Sequence, residues 1–241
     1  MQSQNSLNLS NGIFFKLKSS FKKLYKNSNF YEKRISKTFD NNFEYKPSPH
    51  LLSSIIRYQK KKYKIEDFAT EAIWKNNISS KDFKKLNNFF WFFSLDLKSS
   101  KETTQSIILN WINKNEKFDE NIWEFNITAK RIIAWLSNHQ LTYEDSNEEY
   151  RLFFNHMLQK QTNHLLNEIK NLSEIEEKLI GCAAIILTGL AYKDEKNYLD
   201  SGLNILKNII KQSLDKQGFP RSRSIQNLVF YLKYLIIIRE W

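Results

Sequence analysis

Residues 123–172 read WEFNITAKRIIAWLSNHQLTYEDSNEEYRLFFNHMLQKQTNHLLNEIKNL, which parses as two helices joined by a short polar turn. In the second helix Tyr150, Phe153, Phe154, Met157, Leu158, Gln161, Leu165, Glu168 and Ile169 recur at steps of three and four, so one face is mostly apolar. Ser146 followed by Glu149 predicts a capping box at its start. Arg131, Trp135, His139, His156 and His164 are set among the apolar positions. This helical hairpin is the unit that the rest of the chain repeats.

On the N-terminal side, a helix capped at Ser79 or Ser80 is predicted to run through Leu97, with Phe83, Leu86, Phe89, Phe90, Phe93 and Leu97 on its apolar face. After a break at Ser99 and Ser100, Ile107, Ile108, Trp111 and Ile112 mark its return partner. On the C-terminal side, Ser173 and Glu176 repeat the capping-box pattern before a helix through Leu190. Its return helix runs from Tyr198 to Leu214 and ends at Gly218 and Pro220. The last element, Ile225 to Trp241, has no return partner and so suggests part of something longer. Hairpins of roughly 45 residues in series are the pattern of an α-solenoid or an (α/α) toroid. The low count of five Gly and three Pro argues against a strand-rich fold with many tight turns. The prediction is therefore all-α: residues 81–241 form an incomplete (α/α) toroid of antiparallel helical hairpins, and residues 1–80 form a basic helical segment that packs on it.

That first segment carries most of the charge. Residues 1–101 hold 20 Lys/Arg against eight Asp/Glu, whereas residues 102–241 hold 17 against 18. Such a segment attracts nucleic acid, anionic lipid or acidic polysaccharide by the same long-range electrostatics. Ile13, Phe14, Leu17, Phe21, Leu24 and Tyr25 form a stripe opposite lysines, read as packing on the domain in preference to lying on a membrane surface. Further helices are predicted from Ser48–Pro49, ending at Lys60–Lys62, and from Ile65 to Trp74. Cys182, the single cysteine, reads as a small buried hydrophobe. No run approaches 18 uncharged apolar residues, and MQSQNSLNLSNG lacks the apolar core of a signal peptide. The expected compartment is cytoplasmic, or periplasmic if the N-terminus is incomplete. No phosphate-binding loop, nucleophile elbow or nucleotide motif is present and no His pair has i, i+4 spacing, so neither cofactor nor metal is expected.

Read together, the aromatic helix at 89–97, the Ala129, Arg131 and Trp135 core of WEFNITAKRIIAWL, QKQTNHL at 159–165 with His164, the Gly189–Leu190 pair and QGFPRSRS at 217–224 resemble, in order and spacing, the toroid domain of heparinase II/III-like proteins. The likeness covers roughly residues 85–241. It implies an (α/α) toroid followed by a β-sandwich, acting on acidic polysaccharides by β-elimination. In that chemistry an Asn-type side chain stabilises the uronate carboxylate while Tyr and His move protons. This chain departs from the pattern at Glu177 and Lys178, where family lyases have Asn and His, at Ile225 and Gln226, where they have Tyr-His, and at Phe219, where a turn histidine is common. No segment of these residues is expected to supply the β-sandwich, which makes that domain a candidate missing partner.

Five residues are singled out. Arg221 and Arg223, on the turn beside Gly218, have the guanidinium forks that match a carboxylate or sulfate; the alternative is that they cap the preceding helix. Arg131, with Trp135 four residues on, either reaches a sugar or forms a structural pair inside the toroid. His164 is the candidate general acid or base, against the alternative of a satisfied core histidine. The expected partner is an acidic polysaccharide. The rival reading is a non-catalytic helical scaffold or nucleic-acid-binding module acting through the basic first third, although no strong nucleic-acid motif is present.

Overall fold

The computed structural model describes residues 20–38, 43–47, 79–95, 98–192 and 198–241. The helices predicted over 49–62 and 65–74, and the first part of the stripe at 13–25, lie outside the described residues. Helices α1 (Asn29–Ile35), α2 (Ser80–Asn87), α3 (Lys101–Lys114), α4 (Phe125–Ser137), α5 (His139–Thr142), α6 (Glu148–Glu168), α7 (Ile175–Ala191), α8 (Tyr198–Ser213) and α9 (Ile225–Glu240) follow in order. Among the described residues there is no strand beyond isolated bridges such as Leu214 with Pro220. The protein is all-helical. No helix among those residues is long and apolar enough to cross a membrane.

Helix α7 is the centre of the packing: α4, α6, α8 and α9 all lie against it. Its composition explains this position. Leu179, Ile180, Cys182, Ala183, Ala184, Ile185, Ile186, Leu187 and Ala191 are all buried, and a helix that is apolar on every side has to be covered on every side. Small residues let the neighbours come close. A methyl group at Gly189 would fall 2.3 Å from the Leu199 backbone nitrogen at the start of α8. Gly189→Ala is therefore expected to destabilise the fold by about 1–3 kcal/mol even though alanine is the better helix former. Urea denaturation would measure it, and a gain in stability would mean that the two helices can part freely.

Four local predictions are corrected. The aromatic helix does not continue to Leu97. It ends at Asn87, Phe89 takes a left-handed backbone (φ 56°), and Phe90–Ser94 form a 3-10 turn. This break turns Phe89, Phe90, Phe92 and Phe93 all inward, which one face of a continuous helix does not do, and the Asn88 side chain accepts the Phe90 N–H released by it. Helix α3 lies along α5 and α6 and is not the return partner of α2. Helix α6 is capped by Asn147, whose side chain accepts the Tyr150 N–H at 2.8 Å; Ser146 instead donates to the Tyr143 carbonyl. Asparagine competes with serine on equal terms at this position. Helix α7 starts after Glu174 without a side-chain cap, and Glu176 is taken by the Tyr231 hydroxyl.

The N-terminal residues form a strap that runs antiparallel along α6. The Lys160 ammonium holds the Glu32 carboxylate, Asn163 donates to the carbonyls of Ile35 and Lys37, and Thr38 meets His156 at 2.8 Å. Further on, the Glu44 N–H donates to the Ala191 carbonyl, so residues 43–47 lie against the end of α7. Ion pairs reinforce the strap: Lys22 and Lys26 with Glu168, Lys23 with Glu120, and Lys46 with Glu144. The uneven charge of the sequence thus has a structural outlet, since basic residues of the first third mate with acidic residues of the rest.

Candidate functional site

The five residues singled out by sequence do not come together. His164 is 1% exposed, beneath the strap, with Nδ1 2.7 Å from the Tyr31 hydroxyl and its ring against Phe118 and Trp123. Burial, aided by the Lys26 charge and opposed by Glu168, pulls its pKa down to about 3, so it is a neutral interior imidazole. This placement, under the strap and hydrogen-bonded to Tyr31, is that of the satisfied core histidine given as the alternative.

Arg131 is also buried. Its Nε donates to Gln161 Oε1 at 2.7 Å, and its terminal nitrogens donate to the carbonyls of Asn87 and Ile122 and to Thr128 Oγ1. Its guanidinium lies 4.0 Å over the ring of Trp111, not of Trp135. Trp135 is packed edge-on against Phe89 and Trp111 and stacked with Phe154, entirely out of solvent. Both side chains thus lie in the core, as in the structural alternative for Arg131, although the ring it meets is Trp111.

Arg221 and Arg223 remain at the surface, and both turn towards the end of α8. Arg221 donates through its backbone to Ser213 and through its side chain to the Lys211 carbonyl. Arg223, in the left-handed region (φ 55°), pairs with Asp215 at 2.8 Å; Asp215 also accepts the N–H groups of Gln217 and Phe219. These contacts close the turn, in line with the capping alternative.

A different set of residues converges. Where α5 turns into α6, Tyr143, Glu144, Asp145 and Arg151 meet Phe43 and Lys46 of the strap around a cleft of about 450 Å³. The backbone N–H groups of Tyr143 and Glu144 both donate to the His139 carbonyl, and Asp145 takes a left-handed conformation (φ 58°) that aspartate tolerates. Lys101 Nζ sits 2.6 Å from Asp145 Oδ2 and 3.8 Å from Glu144 Oε2, and Lys46 Nζ is 3.4 Å from Glu144 Oε1. The hydrogen bond and charge of Lys101 hold the Asp145 carboxyl below its ordinary range.

Beneath them, His139 Nδ1 lies 3.1 Å from Glu144 Oε1 without the alignment of a hydrogen bond. Burial pulls the His139 pKa down, and the Glu144 charge only partly restores it. Arg151 stacks 5.4 Å from the centre of the Tyr143 ring and donates Nε to Ser146, but forms no ion pair among the described residues. The Tyr143 hydroxyl accepts from Asn155, whose carbonyl oxygen accepts from Tyr192, so the cleft wall is rigidly backed. The lining carries two cations, Lys46 and Arg151, against two carboxylates, Glu144 and Asp145, and Lys46 is paired with Glu144; the Arg151 guanidinium beside the aromatic walls is the group that suits an anion with an apolar ring face.

The sequence marks His139 only as one of the histidines set among apolar positions, and nothing in it singles out Lys46, Lys101, Glu144 or Arg151. The Tyr143–Asp145 corner offered a local hint, but 55 residues separate Lys46 from Lys101, and only the tertiary fold brings both to Glu144. Among the described residues no group of His, Cys, Asp and Glu is placed to hold a metal. No protein-family model, curated protein or solved structure matches the chain.

Proposed function

We propose that this chain is a glycan-recognition domain, an (α/α) toroid of the heparinase II/III-like kind, that binds an acidic polysaccharide at the cleft lined by Phe43, Lys46, Tyr143, Glu144, Asp145 and Arg151. The observation that carries this reading is Arg151, a guanidinium stacked on Tyr143 at the cleft wall without a carboxylate partner among the described residues. A uronate supplies what it lacks: a carboxylate for the fork and a ring face for the aromatic side chains. Recognition rather than β-elimination is proposed, because His164 is sealed inside and His139 is mostly covered.

The rival nucleic-acid reading has less support. It needs the lysines of the first third to be available, and among the described ones Lys22, Lys23, Lys26, Lys46, Lys84 and Lys101 are each paired with a carboxylate.

Titration calorimetry with polygalacturonate, alginate, hyaluronan and neutral dextran tests the proposal, with ultraviolet absorbance followed for unsaturated uronate. Binding to an acidic polymer and not to dextran is expected. Arg151→Glu with Lys46→Glu is expected to weaken it at least about tenfold, on the order of 1.4 kcal/mol. Arg221→Ala is expected to leave it unchanged. Absence of binding, or binding insensitive to the cleft pair, would overturn the reading.

A further inference from the structure

The apolar stripe of the first segment is expected from its sequence to face the domain, and its described part faces the other way. Residues 20–26 form a helix that is held to the body by its lysines: Lys22 and Lys26 pair with Glu168, and Lys23 pairs with Glu120. At about 100° per residue, Phe21 and Leu24 fall on the side away from those lysines. They are 69% and 68% exposed. This is the reverse of an amphipathic helix packed on its own protein, which buries its apolar side. Helix α1 continues the same surface. Its Tyr31 and Ile35 are buried, while Phe30, 68% exposed, shares the outer side with Lys33 and Arg34, and Lys37 follows just beyond the helix end. The Tyr25 ring joins the two helices, 6.2 Å from the Phe30 ring and with its hydroxyl accepting from Arg34. Glu32, the one acidic residue between 20 and 37, is taken by Lys160, so Lys33, Arg34 and Lys37 are exposed cations with no carboxylate partner among the described residues.

We propose that this surface seats on an anionic lipid bilayer, with Phe21, Leu24 and Phe30 entering the boundary between headgroups and acyl chains and Lys33, Arg34 and Lys37 meeting the charged headgroups. Apolar burial and attraction to anionic lipid add in such a contact, and exposed Phe and Leu beside unpaired Lys and Arg supply both. The same composition argues against other occupants. Lysine is depleted at protein–protein interfaces. A nucleic acid would engage the cations through its phosphates and leave the three apolar side chains in water. With only three apolar side chains to insert, the attachment is reversible.

Flotation of the full chain with lipid vesicles tests this, comparing phosphatidylcholine alone with equal parts of phosphatidylcholine and phosphatidylserine. Binding to the serine-containing vesicles only is expected, and added salt should weaken it. Phe21→Ala with Leu24→Ala and Phe30→Ala should lower the partitioning at least about tenfold. Lys33→Glu with Lys37→Glu should lower it by a similar factor. Far-ultraviolet circular dichroism should not change in either variant, because all five side chains are exposed. Insertion is read with a polarity-sensitive dye on Leu24→Cys, whose emission should shift to the blue on the anionic vesicles, whereas the same dye on Gln217→Cys should not shift. The native Cys182 is buried and stays unlabelled. Failure to bind anionic vesicles, binding that survives the triple alanine variant, or a Leu24→Cys dye that stays in water would each overturn the proposal. A dye that shifts with single-stranded DNA and not with vesicles would assign the surface to a nucleic acid instead.

Discussion

Arg131→Ala is expected to lower the unfolding free energy by about 2–5 kcal/mol, the range for emptying a large buried side-chain site whose neighbours also lose their hydrogen-bond donors. The guanidinium is the donor for Gln161 Oε1 and for the carbonyls of Asn87 and Ile122, and it fills the space over the Trp111 ring. Truncation removes those donors from buried acceptors and leaves a cavity beside an indole, and both effects destabilise. Arg131→Lys is expected to recover little, because an ammonium is a single point and cannot span three elements with a planar fork. Urea denaturation of the two variants checks this. A loss below about 1 kcal/mol for the alanine variant would show that Arg131 is not a structural pin and would return it to the list of ligand contacts.

Acid is expected to weaken the fold through His164. Its folded pKa is about 3, against about 6.5 for a free histidine. Between those values the unfolded chain binds a proton that the folded chain refuses, so stability rises with pH in that window. It is complete above about pH 6.5 and declines as the pH falls towards 3. By about pH 4 the loss amounts to roughly 3 kcal/mol. Glu168 acts in the same direction: burial raises its pKa, but Lys26 and Lys22 more than offset that, so protonating it at low pH also costs stability. Unfolding curves at neutral pH and near pH 4 test the assignment. His164→Gln should flatten the dependence, and an unchanged slope would place the acid sensitivity elsewhere.

The long helices were legible because burial leaves a periodic trace. Helices α3, α4, α6, α7, α8 and α9 follow apolar residues at steps of three and four, and α7, apolar on every side, could be read as a core helix from composition alone. The break at Phe89 was not legible. A run of aromatic residues satisfies a helical period whether the chain stays helical or turns each ring inward by unwinding. Polar residues misled for a related reason. His164 and Arg131 carry the side chains of a binding site, yet their partners, Tyr31 on the strap and the Asn87 and Ile122 carbonyls, are distant in the chain or belong to the backbone. The cleft fared worst, since its lysines approach Glu144 only through tertiary packing and nothing in the local pattern of Lys46 or Lys101 distinguishes them from surface lysines.

The strap has a consequence for the order of events during synthesis. Tyr31 leaves the ribosome 133 residues ahead of its partner His164, an interval of roughly 7–27 s at ordinary elongation rates. Throughout that interval the first part of the chain is a basic, aromatic segment with nowhere to dock, the kind of nascent surface that holdase chaperones shield. The strap residues are made before α6, their template, and reach their final place only after it.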